Sequence, residues 1–82
     1  MNLPFSAYNY FQYALKIAAN NVIIHYYDIL SDENIDNRIN ELHSIAKKNR
    51  FNIKFFKIWK IKTYSPHEFY IGIDITAKRV PT

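Results

Sequence analysis

Apolar residues recur along this chain with helical spacing in two stretches and with the alternation of strands in three. After Pro4, apolar side chains return every three or four positions, which predicts a first helix over Ser6–Ala19. The next segment, Val22–Leu30, is rich in β-branched and aromatic residues and short for a helix, so it is predicted to be a strand.

Alternation along this first strand leaves two candidate core faces. One set is Val22, Ile24, Tyr26 and Leu30, and the other is Ile23, His25, Tyr27 and Ile29. The first set is favoured, with Asp28 near the end of the strand, where its charge can reach water.

A second helix is predicted after Ser31, which stands where an N-cap residue belongs. Asp32 and Glu33 follow in the first turn, where acidic side chains complement the helix dipole. An apolar stripe then runs at helical spacing through Ile35, Ile39, Leu42 and Ala46, before Lys47 and Lys48 at the end.

The segment Arg50–Lys62 is the most basic in the chain and is predicted to be the second strand. In simple alternation, its odd positions form the core face: Phe51, Ile53, Phe55, Trp59 and Ile61. Its even positions then form the other face: Asn52, Lys54, Phe56, Ile58, Lys60 and Lys62. Lys57 does not fit, because it falls on the core face, so either a bulge shifts the register or the strand is an edge whose lysine reaches water.

A third strand follows the turn region Thr63–His67, with Phe69, Ile71, Ile73, Ile75 and Ala77 on its core face. A three-residue connection, Tyr64–Pro66, is expected to set Lys62 opposite Glu68 and Lys60 opposite Tyr70.

These elements predict one small α+β domain over residues 1–82, in the order α-β-α-β-β, with residues 79–82 as a frayed tail. The three-stranded sheet is expected to combine one parallel crossover with a C-terminal hairpin. Both helices are expected on one face, which leaves the other face of the sheet open.

Composition supports a folded chain in a reducing compartment. Hydrophobic residues make up 49% and aromatic residues 17% of the 82 residues, more than a disordered chain carries. Cysteine is absent, and neither a membrane-spanning run nor a signal peptide is evident, so we expect a cytoplasmic protein. Acidic residues cluster over 28–41 and basic residues over 42–62, so the domain has a negative and a positive end.

The open face carries the candidate partner-binding residues. They are Lys54, Phe56, Ile58, Lys60, Lys62 and Tyr70, joined by His25 and Tyr27 if the first strand is oriented as favoured. Aromatic rings between lysines suit single-stranded nucleic acid, because bases stack on rings and cations follow phosphates. The alternative is that Phe56 and Ile58 form a dimer or protein interface with the lysines as its solvated rim.

No catalytic, metal or cofactor site is predicted. His25, His43 and His67 lie on three different elements without the spacing of metal ligands, and His67 and Glu68 point to opposite faces of a strand. Gly72 is the only glycine, which excludes a phosphate-binding loop.

The favoured function is a small non-enzymatic binding protein that blocks or adapts a macromolecular partner, with a protein preferred. An inhibitor from a phage or mobile element, such as an anti-defence protein, is one instance. The alternative is a nucleic-acid-binding module that uses the basic aromatic face, and homo-oligomerisation is possible in either case.

Overall fold

The computed structural model describes residues 7–81, and that range forms two helices and three strands in the predicted order. Their bounds are α1 Ala7–Ile17, β1 Asn21–Ser31, α2 Asp32–Lys48, β2 Phe51–Ser65 and β3 Glu68–Arg79. The expected start of the first helix at Ser6 lies outside the described residues.

β3 is the central strand of the sheet and pairs in antiparallel fashion with β1 on one side and β2 on the other. β1 and β2 therefore run in the same direction, and α2 connects them across β3. The α+β class, the element order and the C-terminal hairpin are confirmed. The crossover skips one strand, so both pairings within the sheet are antiparallel.

Both helices pack on the same side of the sheet. The Phe11 ring of α1 meets Tyr26 edge-on at 6.4 Å between centroids, and His43 of α2 meets Phe56 at 6.0 Å. Tyr26 and Phe56 share a face, because Phe56 lies opposite Ile75 and Ile75 lies opposite Ile24. Neither helix within residues 7–81 is long and apolar enough to cross a membrane.

The core between the helices and the sheet contains the favoured face of β1. Ile24, Tyr26 and Leu30 are buried, whereas His25 and Tyr27 are exposed on the opposite face. The remaining buried apolar residues come from both helices and the other strands: Phe11, Leu15, Leu42, Ala46, Phe51, Ile71, Ile73, Ile75 and Ala77. The preferred core set for the first strand is thus confirmed.

Simple alternation along β2 is wrong, because the strand contains three register shifts. Lys54, Ile61 and Tyr64 are each an extra residue that has no counterpart on β3. Every extra residue moves the positions that follow it to the other face of the sheet. The first shift turns Lys57 away from the core, which removes the cost of burying its charge.

The hairpin connection is shorter than expected. Ser65 lies opposite Glu68, so only Pro66 and His67 form the turn. Lys62 lies opposite Tyr70 rather than Glu68, because the turn begins two residues later than expected and one extra residue, Tyr64, lies between Lys62 and the turn.

A polar cluster is embedded at the margin of the core where α2 crosses β1. The Tyr26 hydroxyl donates to Oδ2 of Asp28 at 2.7 Å and accepts from Nη1 of Arg38 at 2.6 Å. The Arg38 guanidinium also pairs with the Asp28 carboxylate, and all three side chains are wholly or partly buried. Burial, and then the hydrogen bond to Asp28, raises the pKa of Tyr26 well above the ordinary value for tyrosine.

The end of β3 is anchored to the end of α1. The Arg79 guanidinium donates to the carbonyl of Ala18 at 2.7 Å and lies over the Phe51 ring at 4.6 Å. The Val80 amide also donates to the Arg50 carbonyl at 2.7 Å. Fraying of the tail that begins at Arg79 stays a prediction. Fraying would require these contacts of Arg79 and Val80 to break.

The end of α2 suggests one stability test. Arg50 follows the helix with a φ of 64°, and it is the one non-glycine residue with positive φ in the described range. Glycine adopts this conformation without steric cost, so Arg50→Gly is expected to raise the free energy of unfolding by roughly 0.5–1 kcal/mol. Urea unfolding measures the change. Ser44→Gly, on the exposed side of α2, is the matched control and should lower it by roughly 0.5 kcal/mol.

The polar cluster predicts a dependence of stability on alkaline pH. Tyr26→Phe should cost about 1–2 kcal/mol at neutral pH, because Asp28 and Arg38 each lose a hydrogen-bond partner. Above about pH 10 the unfolded chain ionises Tyr26 while the folded chain keeps it protonated, so wild-type stability falls as pH rises. The variant lacks this contribution, and the difference between the two proteins should shrink between about pH 10 and pH 11.5 in urea unfolding. Exposed Tyr13→Phe is the control, and an equal pH response in both variants would contradict the assignment.

Candidate functional site

The side of the sheet without helices, called here the open face, is built from rows of three residues, one from each strand. Its three central rows are His25–Asp74–Lys57, Tyr27–Gly72–Trp59 and Ile29–Tyr70–Lys62. The next row toward the Asn21 end is Ile23–Thr76–Phe55. Successive rows are separated by roughly 7 Å, twice the rise of one strand residue.

The Trp59 indole packs against Gly72 at the centre of the open face, because glycine has no side chain to occupy that space. A Cβ atom on Gly72 would sit 2.8 Å from Cε2 and Cζ2 of the indole, so the ring occupies the space that any other side chain would need. Gly72 is buried as a result. Tyr27 lies in the same row, on the other strand next to β3, and is 56% exposed.

Charged groups lie in the rows on both sides of Trp59. Lys57 precedes it and Lys62 follows it, so each is about one row away. The Lys62 ammonium is 5.2 Å from the centroid of the Tyr70 ring, within range of a cation–π contact. Tyr70 also meets Tyr64 edge-on at 5.3 Å.

One carboxylate, Asp74, lies among these cations. Nδ1 of His25 is 2.5 Å from Oδ1 of Asp74, and Lys57 lies opposite Asp74 on the other neighbouring strand. Asp74 offsets one positive charge on this face, so Lys57 and Lys62 together leave a net charge of about +1 for a ligand.

Four of the eight predicted partner-binding residues share the open face. Tyr27 and His25 come from β1, Tyr70 from β3 and Lys62 from β2. Lys54 is exposed as the extra residue of the first bulge, outside the regular rows. Whether any of these residues binds a partner stays a prediction.

The expected placement of the other three, Phe56, Ile58 and Lys60, on the open face is wrong. The bulge at Lys54 turns them to the helix side, where Phe56 meets His43 and Ile58 packs against the core. Lys60 forms an ion pair with Asp32 at 2.8 Å, and its ammonium lies 4.1 Å from the centroid of the Phe69 ring. Their contacts within the chain give these residues a structural role.

The same shift brings to the open face residues that simple alternation assigns to the core. Phe55 is 62% exposed, and Lys57 and Trp59 follow on the same face. The misfit of Lys57 was the signal for this change, because it predicted a bulge or an edge strand. Asp74 gave no such signal, since its pairing with His25 joins residues 49 positions apart in the chain.

The three histidines are not brought together. His25 pairs with Asp74, His43 packs on Phe56, and His67 lies in the hairpin turn. Among the described residues, no group of three or more histidine, aspartate or glutamate side chains is arranged to hold a metal ion.

Comparison with known proteins identifies a fold but no family. No family model matches the chain, and no curated protein matches it. Among solved structures, the chain is similar to M. jannaschii TYW2, solved in complex with AdoMet, with a TM-score of 0.79 and 22% sequence identity. The likeness covers 87% of this chain and 33% of that chain, so this chain spans about a third of the length of TYW2.

This likeness corrects the function favoured by sequence. A non-enzymatic blocking protein, such as an inhibitor from a phage or mobile element, was expected from small size and from the lack of catalytic motifs. The same arrangement of helices and strands occurs as part of an AdoMet-binding enzyme, which points away from a dedicated inhibitor. At 22% identity the comparison shows a shared fold, and the chemistry has to be argued from the open face.

Proposed function

We propose that this chain is a nucleic-acid-binding module that serves an AdoMet-using enzyme and presents its open face to a single-stranded segment of the substrate. The observation that carries the proposal is the position of Trp59, half-buried on the open face between Lys57 and Lys62. The fold likeness to part of TYW2 supplies the enzymatic context.

The geometry suits an extended strand with unstacked bases. A base stacked on an aromatic side chain gains about 1–3 kcal/mol, and Trp59 and Tyr27 offer two rings in one row of the open face. Lysines one row before and one row after Trp59 lie where the phosphates on either side of a stacked nucleotide would pass. Such binding tolerates many sequences, because every base has a π-face and the lysines contact only phosphate.

Catalysis and AdoMet binding are assigned in this proposal to a separate unit. The chain's single glycine, Gly72, lies beneath the Trp59 indole, so it is not available for a ligand-binding loop. The polar cluster of Tyr26, Asp28 and Arg38 is committed to joining α2 with β1. A cytoplasmic location, suggested by the lack of cysteine, belongs to the same proposal.

The site contains its own reporter, because Trp59 is the only tryptophan in the chain. Titration with single-stranded RNA should quench its emission as bases stack on the indole. Lys57→Glu combined with Lys62→Glu should weaken binding at least tenfold. The slope of log affinity against log salt should fall by about 1.4, since each lysine accounts for about one phosphate contact and each contact on a single strand contributes about 0.7.

A variant with the same change in charge separates a local contact from general attraction. Lys47→Glu combined with Lys48→Glu alters two exposed lysines at the end of α2, in the helix layer. We expect this control to retain affinity within about threefold at physiological salt, where distant charges are screened. An equal loss in both double variants, or no quenching of wild-type protein at low salt, would refute the proposal.

Gly72→Ala tests the geometry of the platform without changing any charge. The new methyl group overlaps the indole, so Trp59 has to swing away from the sheet into water. The emission maximum of Trp59 should move to longer wavelength, and RNA affinity should fall several-fold while the salt slope is retained. Thr76→Ala, another change on the open face of β3, is the control. Unchanged emission in Gly72→Ala would show that the ring is not seated on Gly72.

A further inference from the structure

The two edge strands of the sheet differ in how they are protected. β2 carries three bulges and the lysines Lys54, Lys57, Lys60 and Lys62, which are common devices against pairing with another strand. β1 carries neither a lysine nor a proline, and it pairs with β3 without a register shift over all of Asn21–Ser31. Within residues 7–81, nothing pairs with its outer edge.

An exposed apolar stripe on α1 lies beside this outer edge. Tyr10, Tyr13 and Ile17 recur at the spacing of one helix face, and Ile17 is 69% exposed. A groove connects the stripe to the strand, lined on the helix side by Tyr10 and Ile17 and on the strand side by Ile23. The unpaired backbone groups of β1 can be satisfied in register only by another extended strand.

The charges at the two ends of β1 favour an antiparallel partner with the same charge pattern. At its start, Asn21 lies opposite Lys78, and Arg79 follows that lysine. At its end, Ser31 lies opposite Glu68, and Glu33 follows in the first turn of α2. Antiparallel pairing of two copies of β1 brings the basic end of each copy to the acidic end of the other.

We propose that the chain forms a two-fold dimer by antiparallel pairing of β1 with β1 of a second copy. The two sheets become one six-stranded sheet, and the stripes of the two α1 helices cover each other on the helix side. A strand edge that is complementary to itself can pair with a second copy around a two-fold axis, which gives a closed dimer.

Light scattering of the purified full chain, without nucleic acid, tests the proposal. The mass is expected to approach twice the chain mass of 9.8 kDa as concentration rises through the micromolar range. Ile17→Glu and, separately, Ile23→Lys should weaken dimerisation at least tenfold. Ile61→Glu is the matched control, because it places the same change at an exposed isoleucine on the opposite edge strand, and it should leave the dimer intact. A wild-type monomer at millimolar concentration, or a dimer that persists in both variants, overturns the proposal.

The lack of native cysteine allows the pairing to be mapped directly. Single substitutions Ile23→Cys, His25→Cys and Tyr27→Cys sample three successive rows of β1, and the one nearest the two-fold axis should form a disulfide-linked dimer under mild oxidation. Phe55→Cys on β2 is the control and should stay monomeric on a denaturing gel. Failure of all three β1 variants to cross-link faster than the control overturns antiparallel pairing at this edge.

Discussion

The cost of burying an unpaired charge determines how β2 is built, and the rest of the sheet follows from it. In strict alternation, Lys57 would project into the core between Phe55 and Trp59. One extra residue at Lys54 turns the strand over, so Lys57 faces water opposite Asp74 while Phe56 and Ile58 turn to the helix side. The same shift places Trp59 on the open face, over the only residue of β3 that leaves room for an indole.

Contacts on both sides of the central strand, β3, hold Trp59 and its neighbours in place. On the helix side, β3 buries its own side chains Ile71, Ile73 and Ile75 in the core. On the other side, the Trp59 indole covers Gly72. The cluster of Tyr26, Asp28 and Arg38 joins β1 to α2, and Arg79 joins the end of β3 to α1. Side chains on the open face therefore project from a backbone held at both ends and in the middle, which favours a binding surface that exists before the ligand arrives.

The sequence predicts every element but only half of the candidate surface. Helix and strand periods identify the five elements, and the helix α2 begins next to its predicted cap, Ser31. The inward face of β1 also follows from alternation, because this strand is regular. The faces of β2 could not be predicted, because each bulge reverses the faces of all residues after it. The alternation of apolar and polar residues does not indicate where the extra residue lies. The His25–Asp74 pair escapes for a different reason, as it depends on a register between distant strands.

The two proposed surfaces constrain each other. Contact between the two α1 stripes requires the helices of both copies to lie on the same side of the joined sheet, so the two open faces must also share a side. The β1 strands then meet at the centre, and Ile23, His25 and Tyr27 of each copy lie next to those of the other. The Trp59 platforms stand on the outer strands, one on each side of the two-fold axis. A single strand of nucleic acid long enough to cross the joined sheet could then contact both platforms, and the second contact is favoured by the effective concentration that the first creates. A dimer built through β1 thus doubles the stacking surface without covering either Trp59.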